Sequence, residues 1–186
     1  MPFMSLSKTV VLIGMMGAGK TKVGRLLAQR LGLRFIDADN EIQEAAGSSI
    51  EDIFEARGEA VFREGERKVI ARLLGGPVHV LATGGGAFQN ASTRAVIAER
   101  AVSVWLKADF DVLWERVSRR SNRPMLKTAD PRRTLADLIE QRYPVYALAD
   151  LTVVSLAGPV EETVARVEEA LRGAGHLDDG RAGSQR

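Results

Sequence analysis

Cysteine is missing from all 186 positions, which excludes disulfides and thiolate metal sites and is consistent with a reducing compartment. Two histidines, His79 and His176, are too few for a histidine-built zinc centre. No apolar stretch approaches the roughly 20 residues that a membrane-spanning helix needs, so no membrane partner is expected. An excess of one charge is lacking too. The 26 Lys+Arg stand against 24 Asp+Glu, with no basic block of the kind nucleic acid recruits. The N-terminal apolar run Thr9–Ile13 leads into a glycine turn, which makes it a poor signal peptide. The expectation is therefore a cytoplasmic monomer. Hydrophobic residues at 45% and charged residues at 27% suit one soluble domain with a real core.

What is present is more specific. Residues 14–21 read Gly-Met-Met-Gly-Ala-Gly-Lys-Thr and match the phosphate-binding pattern G-x-x-x-x-G-K-[ST], directly after the Thr9–Ile13 run. A buried strand, a glycine turn and a helix start let backbone N–H groups and the helix dipole converge on phosphate oxygens. Gly14, Gly17, Ala18, Gly19, Lys20, Thr21 and Lys22 are the candidate ATP-binding residues. Lys20 reaches the terminal phosphates and the Thr21 hydroxyl suits Mg²⁺.

Four further β-branched or apolar runs follow, at residues 33–36, 78–82, 101–106 and Leu151–Val154, each separated by helical patterns. That alternation predicts an α/β fold with a parallel sheet and helices on both faces. Helices are expected over Lys20–Leu31, 58–74, 90–100, 109–120, 135–149 and 159–171, with Ser49 and Asp52 resembling a capping box. Residues 121–133 read as a mobile surface loop, and residues 173–186, with four glycines, as a disordered tail.

Asp37 and Asp39 follow the second strand run, at the sheet edge where open α/β folds bind ligands. One acid can hold Mg²⁺ through water while the other takes a proton from a hydroxyl, although either also suits a helix N-cap. Thr83 and Gly84, Gly85 and Gly86 follow the third strand run, where a P-loop protein usually carries an acid. Bare amides there can close on a small polar substrate, or form a plain turn. Arg63, braced by Glu66 three residues on, suits an anion clamp, although alone it reads as a solvated arginine. Arg123 in Arg-Pro-Met-Leu sits where a loop cation can cover transferring phosphates, and Arg142 offers a second clamp. Trp105 and Trp114 read as packing residues.

Taken together, the ordered set resembles the shikimate kinase family: the P-loop, Asp37-x-Asp39, Phe62-Arg63-x-x-Glu66, Gly84-Gly85-Gly86, Arg123-Pro-Met-Leu and Arg142-x-Pro-Val-Tyr146. The resemblance covers roughly residues 9–171. It implies a three-layer P-loop kinase fold whose five parallel strands lie in the order 2-3-1-4-5. It implies one domain over residues 1–172, with its core at 9–36, 78–108 and 150–171. A substrate-binding insert would occupy about 37–72 and a lid about 121–133. The implied reaction passes the γ-phosphoryl of ATP to the 3-hydroxyl of shikimate, within chorismate biosynthesis, with Mg²⁺. By motif, Asp39 would bind ring hydroxyls, Arg63 and Arg142 the carboxylate, and the glycines, chiefly Gly85 and Gly86, the ring through backbone. Asp37 would order the magnesium shell and Arg123 would be the lid arginine. Arg119 or Arg120 would stack on adenine, with Pro159 on its other side. Leu148 departs from the family, which often has an acid there. The competing readings are another small-metabolite kinase, such as a gluconate kinase, and a non-catalytic nucleotide switch.

Overall fold

The strand that precedes the P-loop, Thr9–Ile13, is buried along its whole length and forms the centre of a five-stranded sheet. Each of its fully buried Val, Leu and Ile side chains contributes about 1.5–3 kcal/mol of hydrophobic stabilisation, which favours this run for the middle position. The computed structural model describes residues 4–120 and 124–179. Its elements are β1 (Ser5–Leu6), β2 (Thr9–Ile13), α1 (Lys20–Leu31), β3 (Phe35–Asp37), α2 (Ala38–Ala46), α3 (Ile50–Leu74), β4 (Val80–Ala82), α4 (Ala91–Arg100), β5 (Ala101–Lys107), α5 (Phe110–Ser118), α6 (Pro131–Tyr146), β6 (Leu151–Val154), α7 (Val160–Gly173) and β7 (Leu177–Asp178). Short 3-10 turns occupy Ala87–Gln89 and Pro124–Leu126.

The main sheet runs β3-β4-β2-β5-β6, with all neighbours parallel. Counted from Thr9, that is the expected order 2-3-1-4-5. Register explains where chemistry gathers. Ala82 pairs with Leu12 on one side and Asp37 on the other. The segments leaving β2, β3 and β4 therefore start from one level of the sheet, at its carboxyl edge. Among the described residues, no helix is long and apolar enough to cross a membrane.

Several boundaries differ from the sequence reading. The long helix begins at Ile50 rather than at residue 58, because Ser49 caps it by accepting the Asp52 N–H at 3.1 Å. Gly58 (φ 79°, ψ 172°) breaks it, a conformation that L side chains rarely adopt. α6 starts four residues before the expected 135, capped by Asp130 with Pro131 at its first position, so residues 131–133 are helix rather than loop. The tail is corrected as well. Leu177 is buried, and β7 pairs antiparallel with β1, so residues 173–179 are structured; the composition argument missed this because the stabilising partner is at the other end of the chain.

Candidate active site

The P-loop bends through Gly17 and Gly19, at φ 82° and 95°, and enters α1. A Cβ at Gly14 would lie 2.8 Å from the Leu106 carbonyl, so the turn tolerates no larger residue there without shifting. Lys20 folds back over the loop and donates to the Gly14 and Met15 carbonyls at 2.8 and 2.9 Å. Ala18 is buried and its carbonyl accepts from Ser155 Oγ at 2.9 Å. Gly17, Gly19, Lys20, Thr21 and Lys22 line a cavity of about 490 Å³, while Gly14 and Ala18 stand behind its wall.

Asp37 caps α2 and also reaches the P-loop. Its Oδ1 accepts the Asp39 N–H at 3.0 Å and caps α2, while Oδ2 accepts from the Thr21 hydroxyl at 3.3 Å. Among the described residues, no three His, Asp or Glu side chains cluster tightly enough to cage a metal. One hydroxyl beside one acid suits Mg²⁺, which keeps several waters and takes its other ligands from substrate phosphates.

A second cavity, of about 740 Å³, opens on the other side of Asp39, and Asp39, Met16, Gly84 and Gly85 border both. Here the glycine triplet has a reason that sequence alone did not supply. A Cβ at Gly84 would lie 2.9 Å from Asp39 Oδ1, one at Gly85 2.8 Å from Arg142 Nη1, and one at Gly86 would overlap Arg63 Nη2. Three charged side chains from three separate elements pack on three consecutive hydrogens. The loop is then held from behind: Arg94 donates to the Phe88 and Gln89 carbonyls at 2.8 and 2.9 Å, and Gln89 Nε2 donates to the Arg142 carbonyl at 3.4 Å.

The two arginines are supported differently. Arg63 pairs with Glu66 at 2.8 Å and with Glu59 at 3.6 Å, and its guanidinium lies 5.1 Å from the Phe62 ring centroid. Glu66 is 1% exposed, and burial pushes its carboxyl above the usual range against the pull of Arg63. Arg142 is 6% exposed and has no acid in ion-pair range among the described residues. Its Nη2 donates to Met125 Sδ at 3.7 Å. Tyr146 beside it donates to the Gly85 carbonyl, and burial pushes its phenol up to about 12, so it stays a neutral donor. Burial, then the neighbouring Asp37, raises the Asp39 carboxyl, while Lys20 and Arg63 oppose both.

The far end of the first cavity is formed by α5 and the segment before α7. Arg119 and Arg120 line the nucleotide cavity, Arg119 paired with Glu115 at 2.7 Å. Pro159 caps α7 and lies outside the lining, whose edge is Ala157 and Gly158. Arg116 was missed. It donates to the carbonyls of Gly17 at 3.0 Å and Leu156 at 2.6 Å and to Ser155 Oγ at 3.2 Å, joining the P-loop to the far edge of the cavity. The one signal for it in sequence is its place beside the buried stripe Leu113–Val117 of α5. Arg123 lies outside the described residues.

A P-loop, a phosphate-side acid and an adjoining cavity lined by two guanidinium groups, one of them buried with no acid in ion-pair range among the described residues, define an ATP-dependent kinase of a small anionic acceptor. Comparison with known proteins narrows this. The family model "Shikimate kinase" matches residues 16–172. A shikimate kinase of Caulobacter vibrioides is 57% identical over 168 residues, 90% of this chain and 84% of that one. A solved shikimate kinase from Acinetobacter baumannii, in complex with shikimate, superposes with a TM-score of 0.84 at 36% identity, covering 90% of this chain and 94% of the other. A gluconokinase from Sinorhizobium meliloti reaches a TM-score of 0.57 at 21% identity, over 92% of this chain and 99% of its own, a likeness of fold alone. The chain belongs to the shikimate kinase family.

Proposed function

We propose that the two adjoining cavities carry out one reaction, transfer of the ATP γ-phosphoryl to the 3-hydroxyl of shikimate, giving shikimate 3-phosphate and ADP on the route to chorismate. The observation that carries this reading is the packing of Asp39, Arg142 and Arg63 on successive glycines beside the P-loop. It supplies a base, two cations and bare amides to one ring-sized space.

The division of labour follows from position. P-loop amides and Lys20 bind the β- and γ-phosphates. Thr21 would hold Mg²⁺, with Asp37 acting through its water shell, and the metal would neutralise charge on the phosphates. Arg142 and Arg63 take the acceptor carboxylate, which fixes the ring orientation; each charged hydrogen bond contributes about 1.5–3 kcal/mol. Asp39, on the border of both cavities, orients the attacking hydroxyl and receives its proton late, as suits a loose phosphoryl-transfer transition state. Arg123 keeps the role its motif implies, a cation over the transferring group, and residues 37–72 are read as the acceptor-binding insert. Closure over the site by the segment that follows α5 would keep water from the γ-phosphate.

The test is ADP release from purified protein offered shikimate, gluconate or no acceptor, with product identified by mass. ADP and shikimate 3-phosphate should appear with shikimate alone. Turnover of gluconate without turnover of shikimate would overturn the reading.

A further inference from the structure

Without cysteine, a peroxide meets no thiol in this protein, and sulfur oxidation falls on methionine. The methionines near the site differ sharply in access. Met15 is 1% exposed behind Tyr146, whereas Met125 is 49% exposed on the wall of the acceptor cavity. The Met125 sulfur also has a particular partner: it accepts from Arg142 Nη2 at 3.7 Å. The acids of this cavity that form ion pairs, Glu59 and Glu66, are both taken up by Arg63. Arg142 therefore presents a buried positive charge with no carboxylate in ion-pair range among the described residues; beside it stand only the neutral Tyr146 hydroxyl and the Met125 thioether, the weaker acceptor of the two.

We propose that Met125 is an oxidation-sensitive site whose sulfoxide competes with the acceptor carboxylate for Arg142. The inference rests on the acceptor reading given under Proposed function. In the step, the O–O bond of hydrogen peroxide breaks and one oxygen bonds to the Met125 sulfur, which is oxidised by two electrons. The other oxygen leaves with both hydrogens as water. The product replaces a weak sulfur acceptor by a polar S=O group next to a guanidinium that lacks a carboxylate. Because that oxygen is tethered, it competes intramolecularly, so it needs no high affinity to hinder a free carboxylate. A methionine sulfoxide reductase would restore the thioether and reopen the site. Acceptor binding is thereby coupled to peroxide level; Met16, the half-buried methionine of the P-loop on the border of both cavities, is the second sulfur that the peptide map must follow.

The experiment treats the full chain with limiting hydrogen peroxide and locates added oxygen by peptide mass spectrometry. It then compares kinetics for shikimate and ATP with the untreated sample. Met125 should oxidise ahead of Met15, with KM for shikimate rising ~10-fold, the loss of one charged hydrogen bond. KM for ATP should hold. Sulfoxide reductase should reverse both the mass gain and the KM. Met125→Leu, referred to its own untreated kinetics, should show no peroxide-dependent rise. Complete oxidation of Met125 with an unchanged KM for shikimate would overturn the proposal, as would an equal peroxide response in Met125→Leu. Turnover of shikimate by the untreated sample tests the acceptor reading separately, so the two fail independently.

Discussion

The nucleotide half of the site and the acceptor half are built on opposite plans. The nucleotide half centres on one uninterrupted stretch, residues 14–22, which offers its backbone to the cavity, with α5 and the segment before α7 completing the wall. The acceptor half is made of side chains from α2, α3 and α6, meeting on a loop after β4. The P-loop depends chiefly on its own conformation, with Arg116 and Ser155 as its supports from outside. A convergent site depends on the whole sheet and on close approach, so its weak points include residues that touch no substrate.

Substitutions can separate the two plans. The largest loss is expected for Lys20→Met, which should cut turnover at least ~100-fold in a coupled ADP assay. Asp39→Asn should follow, lowering kcat by about 100-fold while ATP binding, measured by calorimetry, is little changed. Its pH behaviour sharpens the point. Burial and Asp37 raise the Asp39 carboxyl, so wild-type kcat/KM should fall on acidification at a higher pH than an ordinary aspartate would give. Asp37→Asn should move that acid limb to lower pH. A carboxyl raised by folding stabilises below its unfolded pKa, and that contribution is lost as pH rises through the folded value. Above that folded value the ionised Asp39 therefore costs stability, and Asp39→Asn should raise Tm there while lowering activity.

Arg142→Ala should raise KM for shikimate by roughly 10–100-fold with KM for ATP held. A smaller effect, and the sharper test of convergence, comes from Gly86→Ala. Its new methyl would meet the Arg63 guanidinium, and KM for shikimate should rise ~10-fold. Gly65→Ala, in the same α3 as Arg63 but with open space at its Cβ, should leave shikimate kinetics unchanged and stabilise by about 0.5–1 kcal/mol. Equal kinetics for Gly86→Ala and wild type would mean that Arg63 does not need its seat on the loop.

The contrast also explains what could be read without coordinates. Thr9–Ile13 and Leu151–Val154 were placed to the residue, because an apolar run between polar breakers has one good solution in a parallel sheet. Lys20–Leu31 was likewise placed to the residue, because Gly32 closes it in the left-handed conformation. The residue types of the acceptor site were readable as well. Their reason was not: nothing local says that Gly86 must lack a Cβ because Arg63, more than twenty positions earlier, lies against it. Arg116 was hidden for the same cause, since a helical arginine looks solvated until its carbonyl partners in distant loops are known. The β1–β7 pairing joins the two ends of the chain, a contact beyond the reach of any window on sequence.

The break at Gly58 has a practical side. It divides α3 into a stretch bearing Ile50, Phe54 and Glu55, which line the larger cavity, and a stretch bearing Arg63, braced by Glu66. The two stretches still touch through Phe54, whose ring centroid lies 4.5 Å from that of Phe62 and 5.9 Å from the Arg63 guanidinium, so the wall can be rewritten around Phe54 while Arg63 keeps its support. Libraries at Ile50, Glu51 and Glu55, with Phe54 kept, are thus a rational route to kinases for bulkier or differently substituted ring acids.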